Sequence, residues 1–277
     1  MTALNTLDTE DLASHICRLQ CLREAEQHDY QAPEEPTLPK LSEGSYAIHN
    51  AMNCSGLFST SQDKVRTHLR AVFQATNGFS VTYAGPRLYQ DDKAVLLELI
   101  HRRRGKYAGE IVFAPSTFCK SLGWSDSKHN IKRLRESLDQ LVEATLKIER
   151  NPANGSKFNF MRFSYRDDRW VVTLTEDVVR LYPTGLKNAS FLDIEERKQL
   201  TPGMQTWLYD YIRSNDCRIV LTYANLREAC GRGDQEPKTV VEYFKAALKK
   251  LQTLGIIRGY KFAKNAQGQP GIWVDKK

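Results

Sequence analysis

The sequence predicts an α+β fold of two tandem copies of one helix-turn-helix unit with a β-hairpin, preceded by an acidic leader. Three observations carry that prediction: a long internal repeat, an amphipathic helix in each copy with cations on its exposed face, and a proline-rich break between leader and body. The 277 residues suffice for one large or two ordinary domains. Their formal charge of +7 is unevenly spread, because residues 1–45 hold three basic and nine acidic side chains, leaving +13 on the rest.

In the leader, Leu12, Ile16, Leu19 and Leu22 recur at helical spacing behind Asp8, Glu10 and Asp11, so a helix is expected over 8–28. Pro33, Pro36 and Pro39, with Glu34 and Glu35, cannot continue it and favour an extended linker. The domains expected are therefore a leader over 1–45 and two units over 46–188 and 189–277. Ile111-Val112-Phe113 aligns with Ile219-Val220-Leu221 at an offset of 108, which also pairs Phe118 with Leu226, Leu122 with Cys230 and Gly123 with Gly231. An offset of 110 then pairs Ile131 with Val241, Leu134 with Phe244, Leu138 with Leu248, Leu141 with Leu251 and Leu146 with Ile256.

Each copy opens with a helix. Leu88 to Arg103 has Gln90-Asp91-Asp92 at its start and Val95, Leu96, Leu99 and Ile100 on its apolar face, and Gly203 to Ser214 turns Trp207, Leu208, Tyr211 and Ile212 inward. A short strand follows (Ile111 to Phe113; Ile219 to Leu221). Next comes a brief helix ended by Gly123 or Gly231, the residue type best able to take a left-handed conformation. A longer helix runs from Ser127 to Ala144 and from Pro237 to Leu254. Closing strands are expected at Leu146 to Arg150, Phe158 to Tyr165 and Trp170 to Leu174, and at Ile256 to Phe262 and Gly271 to Val274. Their hairpin tips are expected at Asn151 to Lys157 and Lys264 to Pro270. This order is the winged-helix form of helix-turn-helix.

The charge follows that frame. Ile131, Leu134, Leu138 and Leu141 take the buried stripe of the first long helix, which leaves Lys128, His129, Lys132, Arg133 and Arg135 outward on its first two turns, ahead of Glu136, Asp139 and Glu143. The macrodipole favours the opposite order, so helix stability does not explain the basic start. Phosphates and base edges in a major groove do, with Asn130 suited to adenine and Arg133 or Arg135 to guanine. In the second copy, Val241, Phe244, Leu248 and Leu251 are expected inward and Lys238, Thr239, Glu242, Lys245 and Lys249 outward. The wings add Lys157, Arg162, Arg166 and Arg169, then Arg258, Lys261 and Lys264, as backbone-phosphate contacts.

Other chemistries find no support. Arg232 and Pro237 stand where a phosphate-binding loop before Lys238-Thr239 would need glycine. The six histidines are dispersed, with no His-x-His metal pair for a tyrosine nicking enzyme, and the six cysteines show no metal-ligand spacing. Asp91-Asp92 and Asp167-Asp168 are accounted for by a helix start and a hairpin turn. No catalysis, cofactor or metal is expected, no apolar run approaches the ~20 residues of a membrane helix, and free thiols suit a reducing, cytoplasmic setting.

LYQDDKAVLLELIHRRRGKYAGEIVFAPSTFCKSLGWSDSKHNIKRLRESLDQLVEATLKIER, followed by FSYRDDRWVVTLTEDVVRLY, resembles the TrfA-type plasmid replication initiators, notably in its QDD helix start, LGW turn, KRLRESLDQL helix and RWVVTL strand leading to TEDVV. The resemblance implies tandem winged helices that bind iteron repeats in double-stranded DNA at a plasmid origin. It also implies help in opening adjacent AT-rich DNA, recruitment of the host initiator and helicase, and homodimers less active than monomers. A sliding clamp would be met through a QLxLF-like peptide, which does not stand out here, and the acidic leader has no counterpart in the family pattern. The alternatives from the residues themselves are a winged-helix transcriptional regulator and, more remotely, a nicking enzyme of rolling-circle replication.

Overall fold

The computed structural model describes residues 38, 42–61, 63, 65–105, 109–150, 157–166, 168–182, 188–215 and 220–277. The expected helix over 8–28, the linker apart from Leu38, the loop tip 151–156 and Ile219 lie outside these residues.

Residues 45–89, for which the sequence pattern gave no element before Leu88, form a β-rich layer. It comprises β1 (Ser45–His49), the one-turn helix α1 (Asn50–Asn53), β2 (Phe58–Ser59), an antiparallel hairpin of β3 (His68–Gln74) and β4 (Ser80–Pro86), and β5 (Leu88–Tyr89), which runs parallel to β2. That pairing delays helix α2 (Gln90–Arg103) by two residues relative to the expected start at Leu88. The acidic start of α2 does cap it: the Asp92 carboxylate accepts from the Tyr89 N–H at 2.7 Å and pairs with Arg66 at 2.5 Å. Burial pushes that carboxyl above the ordinary aspartate range, and the Arg66 pair opposes the shift.

Strand β6 (Glu110–Phe113), helix α3 (Pro115–Ser121) and helix α4 (Lys128–Glu143) follow in the expected order. Gly123 takes φ +74° between the helices, the left-handed geometry for which glycine has no Cβ penalty. Ser127 caps α4, its Oγ accepting from the Asn130 N–H at 3.2 Å. Leu134, Leu138 and Leu141 are buried beneath it.

The next strands correct the sequence expectation. β7 (Thr145–Glu149) does not close the repeat but pairs with β4, placing Leu146 opposite Tyr83, so its alignment with Ile256 fails. The expected strand Phe158 to Tyr165 is two strands in different sheets. β8 (Phe158–Asn159) pairs with β7, and β9 (Met161–Arg166) pairs with β10 (Arg169–Leu174). The segment 151–157 therefore joins β7 to β8 in the sheet β3-β4-β7-β8, and the hairpin of the first repeat turns instead between Arg166 and Arg169. The physical cause is the β3–β4 hairpin, which supplies an antiparallel edge for β7 that the sequence pattern did not reveal. Helix α5 (Glu176–Arg180) ends this part of the chain.

The second repeat contains β11 (Ala189–Asp193), α6 (Ile194–Lys198), α7 (Met204–Ser214), β12 (Leu221–Thr222), α8 (Tyr223–Ala229), α9 (Pro237–Thr253), β13 (Ile257–Lys264) and β14 (Pro270–Lys276). Its sheet order β12-β14-β13 repeats β6-β10-β9 element for element. Gly231 takes φ +69° where Gly123 has φ +74°. In α9 the buried residue is Val240 rather than the expected Val241, together with Phe244, Ala247, Leu248 and Leu251. Ala247 shifts the buried stripe toward its own side of the helix, a contribution that bulk hydrophobicity understates.

Three features join the repeats within Pro36–Lys277, a single compact unit. β1 pairs antiparallel with β11 from Ser45↔Asp193 to His49↔Ala189. Lys93 on α2, only 1% exposed, meets Asp210 on α7 at 2.7 Å, and Arg197 on α6 reaches the other Asp210 oxygen at 3.1 Å. Asn53 accepts from the Lys93 ammonium and donates to the Asp210 backbone oxygen at 2.7 Å. At the third contact, Arg87 donates to the Gly231 carbonyl at 2.6 Å, and the Thr60 N–H donates to the Cys230 carbonyl at 3.0 Å.

The two turn glycines are therefore not equivalent. A Cβ on Gly231 would sit 2.9 Å from the Cα of Ser59, whereas one on Gly123 would have nothing within 4 Å. Gly123→Ala should cost about 1 kcal/mol for the positive φ alone, and Gly231→Ala should cost about 1–3 kcal/mol more because Ser59 must move. Urea denaturation measures both, and equal losses would contradict the tight seam. A pH dependence also follows. His49 Nδ1 accepts from the Ala51 N–H, and burial, reinforced by Arg150, lowers its pKa from 6.5 to about 4. Below pH 6.5 the unfolded chain binds a proton that the folded chain refuses, so stability is complete above that pH and falls toward pH 4 by about 3 kcal/mol. Urea midpoints of the parent and of His49→Asn should diverge over this range; parallel profiles would assign the titration elsewhere.

Candidate nucleic-acid interface

The exposed face of α4 carries Lys128, His129, Lys132 and Arg135. Lys132 and Arg135 make only loose pairs with Glu136 at 3.7 Å and Asp139 at 3.9 Å. Exposed pairs of this kind are worth a few tenths of a kcal/mol, so an incoming phosphate can displace them. Asn130 is half-buried, and its side-chain amide donates to the Ser125 carbonyl and hydroxyl at 2.9 Å each. It is engaged in holding the turn before the helix.

Arg133 stands apart from the other cations of α4. Its Nε donates to Asp91 at 2.8 Å, a second nitrogen meets the other Asp91 oxygen, and the guanidinium lies 4.1 Å from the Trp124 ring centre. A forked pair with a carboxylate on one side and an aromatic face on the other fixes a guanidinium strongly. Arg133 thereby ties α4 to the start of α2, whereas the sequence pattern had placed it outward with its neighbours. Asp91 in turn serves Arg133, while Asp92 does the capping.

On α9, Lys238, Thr239, Glu242, Lys245 and Lys249 are all exposed, and Lys245 donates to Glu242 at 2.6 Å, which raises the lysine pKa. Tyr243, 44% exposed, shares this helix and went unnoticed in the sequence; Arg232 stacks on it at 4.8 Å. Its only sequence signal was an aromatic residue beside, rather than within, the buried stripe.

The hairpin cations are distributed over more than one face. Side chains alternate along a strand, and Tyr165 on β9 faces α4, where Arg135 lies 5.0 Å from its ring centre. Arg162 is exposed on the opposite face of β9. Phe262 likewise faces α9, with Lys245 at 5.8 Å, which puts Lys261 on the reverse face over Trp273 at 4.7 Å. Arg169 is exposed and pairs across the hairpin with Arg166 through the backbone. Arg258 is exposed at the irregular start of β13, and Lys157 is exposed before β8 in the other sheet. The helix cations thus lie on the exposed faces of α4 and α9, whereas Arg162 and Lys261 lie on the reverse faces of their hairpins and Lys157 lies beside the other sheet.

Among the described residues, no group of three or more His, Cys, Asp or Glu could hold a metal ion, and no helix is long and apolar enough to cross a membrane. Cys54, Cys119 and Cys230 are free and buried, with burial raising each thiol pKa.

This mixed α/β arrangement is similar in fold to solved structures of two other proteins. The crystal structure of the Pi initiator protein in complex with iteron DNA superposes with a TM-score of 0.55 at 10% identity, covering 86% of this chain and 99% of that one. Domains 2 and 3 of RctB superpose with a TM-score of 0.53 at 13% identity, covering 82% of this chain and 96% of that one. The TrfA protein family model matches residues 37–264, so the chain belongs to the TrfA family. A comparison with individual curated proteins gives no match.

The different surroundings of two neighbouring cations can be tested together. Arg133→Ala should lose about 1–2 kcal/mol of stability through the Asp91 and Trp124 contacts, whereas Lys132→Ala should stay within about 0.5 kcal/mol of the parent. Urea denaturation decides, and equal stability of the two variants would return Arg133 to the open surface.

Proposed function

We propose that this protein is a plasmid replication initiator that binds iteron repeats in double-stranded origin DNA through two winged-helix units. In this reading α4 and α9 are the recognition helices, and β9–β10 and β13–β14 are the wings. The observation that carries it is the basic, solvent-facing start of α4, opposite in sign to what the helix dipole favours, with a second basic helix at the matching position of a repeat having the same sheet order. Membership of the TrfA family and a fold shared with an initiator crystallised on iteron DNA support it.

Within this reading Lys128, His129, Lys132 and Arg135, and Lys238, Thr239, Lys245 and Lys249, approach bases and phosphates, with Glu242 shaping the field on α9. Arg169 and Arg258 meet the backbone from the wings, and Arg133 and Asn130 position α4 rather than read bases. The buried link between α2 and α7 holds the two helices in fixed register, so that each unit reads part of one iteron. Occupancy of several iterons then stresses the adjacent AT-rich DNA, whose flexible steps yield at low cost. The host initiator and helicase load on the opened strand in the cytoplasm, with no catalytic step by this chain.

Footprinting of the purified protein on the noncoding DNA of its own plasmid tests the proposal. Protection of several tandem direct repeats beside an AT-rich tract is the expected result. A single protected inverted repeat over the promoter would make it a transcriptional regulator, and metal-dependent nicking with covalent attachment would make it an enzyme.

A further inference from the structure

The two repeats share a contact that their sequence alignment does not display. The offset of 108 matches Phe113 with Leu221. Across the sheets, Phe113 is opposite Trp170 and Leu221 is opposite Ile272, so Trp170 and Ile272 are equivalent. One strand further, Trp170 is opposite Tyr165 and Ile272 is opposite Phe262. Tyr165 and Phe262 therefore occupy the same place in the two hairpins, although they lie 97 positions apart rather than 108 or 110. The helical offset of 110 independently matches Arg135 with Lys245. These are the same four residues that meet: Arg135 lies over the Tyr165 ring at 5.0 Å, and Lys245 lies over the Phe262 ring at 5.8 Å.

Both rings are about half open, Tyr165 at 47% and Phe262 at 48% exposure. Their strand neighbours two residues earlier, Phe163 and Tyr260, are packed against the core and touch them at 4.8 and 5.7 Å. Each hairpin thus carries an aromatic ladder whose inner rung is packed and whose outer rung reaches solvent beside the recognition helix. What the two copies retain is a positive charge over an aromatic face; a hydroxyl on the ring and a guanidinium on the cation are not retained. The common chemistry is a cation–π stack with an apolar ring edge left free.

We propose that Tyr165 and Phe262 are positioning residues of the DNA interface, one in each repeat. Each ring holds its cation, Arg135 or Lys245, at the junction of helix and hairpin, where it meets one backbone phosphate. The free ring edge packs on the neighbouring deoxyribose. The contact is made to sugar and phosphate and so carries no base preference. A stacked cation is already ordered before the duplex arrives, so less side-chain freedom is lost on binding. This inference rests on the DNA-binding reading above.

The test uses the full chain, a duplex from the footprinted region and a scrambled duplex of equal length, each titrated at several salt concentrations. Tyr165→Ala is expected to weaken both duplexes about five- to tenfold and to flatten the salt dependence as Arg135→Ala does, because the phosphate contact is lost in either case. The double variant should be no weaker than the weaker single variant, since the two residues act as one unit. Tyr165→Phe should bind like the parent, as the natural Phe262 implies, and Phe262→Ala should repeat the effect in the second unit. Thermal midpoints of the alanine variants should stay near the parent's, separating positioning from folding. Parent-like binding by both Tyr165→Ala and Phe262→Ala, additive losses in the double variant, or a Tyr165→Phe as weak as Tyr165→Ala would overturn the inference. Failure of the parent protein to bind either duplex would overturn the DNA-binding reading beneath it, which is a distinct result.

Discussion

A buried ion triad is the constraint on which the arrangement of the two repeats depends. Lys93, Asp210 and Arg197 come from three helices in two repeats and are 1%, 0% and 9% exposed. Burial drives the Lys93 pKa down, and the attraction of Asp210 opposes that shift. Such a group contributes little net stability compared with an apolar replacement, because desolvation offsets much of the attraction, but leaving one charge unpaired costs about 3–5 kcal/mol. The energetic consequence is directional: α2 and α7 can meet in one register and not in a shifted one.

The second-repeat turn depends on the same seam. Gly231 has no room for a side chain because the Ser59 backbone lies against it, while Arg87 and Arg232 close over the contact by donating to the Gly231 and Thr60 carbonyls at 2.6 and 2.7 Å. Residues from the extra β-layer of the first repeat therefore hold the turn between α8 and α9 of the second. That layer is more than an appendage to the repeat pattern, since it fixes where α9 lies relative to α4. It also captures β7, which leaves β9–β10 free to be the hairpin beside α4.

Much of each repeat was legible in the chain. The Gly123 and Gly231 turns, the Ser127 start of α4 and the buried leucines of α4 follow from local rules of backbone freedom, capping and helical period. The β-layer over 45–89 was not legible, because β3 alternates only between exposed and half-buried residues and β2 and β5 have two residues each. The long helices were placed correctly and their exposed lysines followed, yet Arg133, in the same basic run, proved to be turned toward Asp91. Periodicity gives a side chain's angle on its own helix; it does not reveal that a neighbouring helix end brings a carboxylate and an indole to that angle.

By itself, the sequence determined the repeated grammar of helix, turn and hairpin, the excess of positive charge on the body, and the resemblance to plasmid initiators. These are properties of short windows and of sums over windows, where local propensity and composition suffice. Only the tertiary structure decided which strands pair, which cation of α4 turns toward a carboxylate, and that Tyr165 and Phe262 are counterparts. The reason is that strand register, buried ion pairs and ring contacts join residues that can stand more than a hundred positions apart, as Lys93 and Asp210 do. Their geometry exists only once the intervening chain has folded.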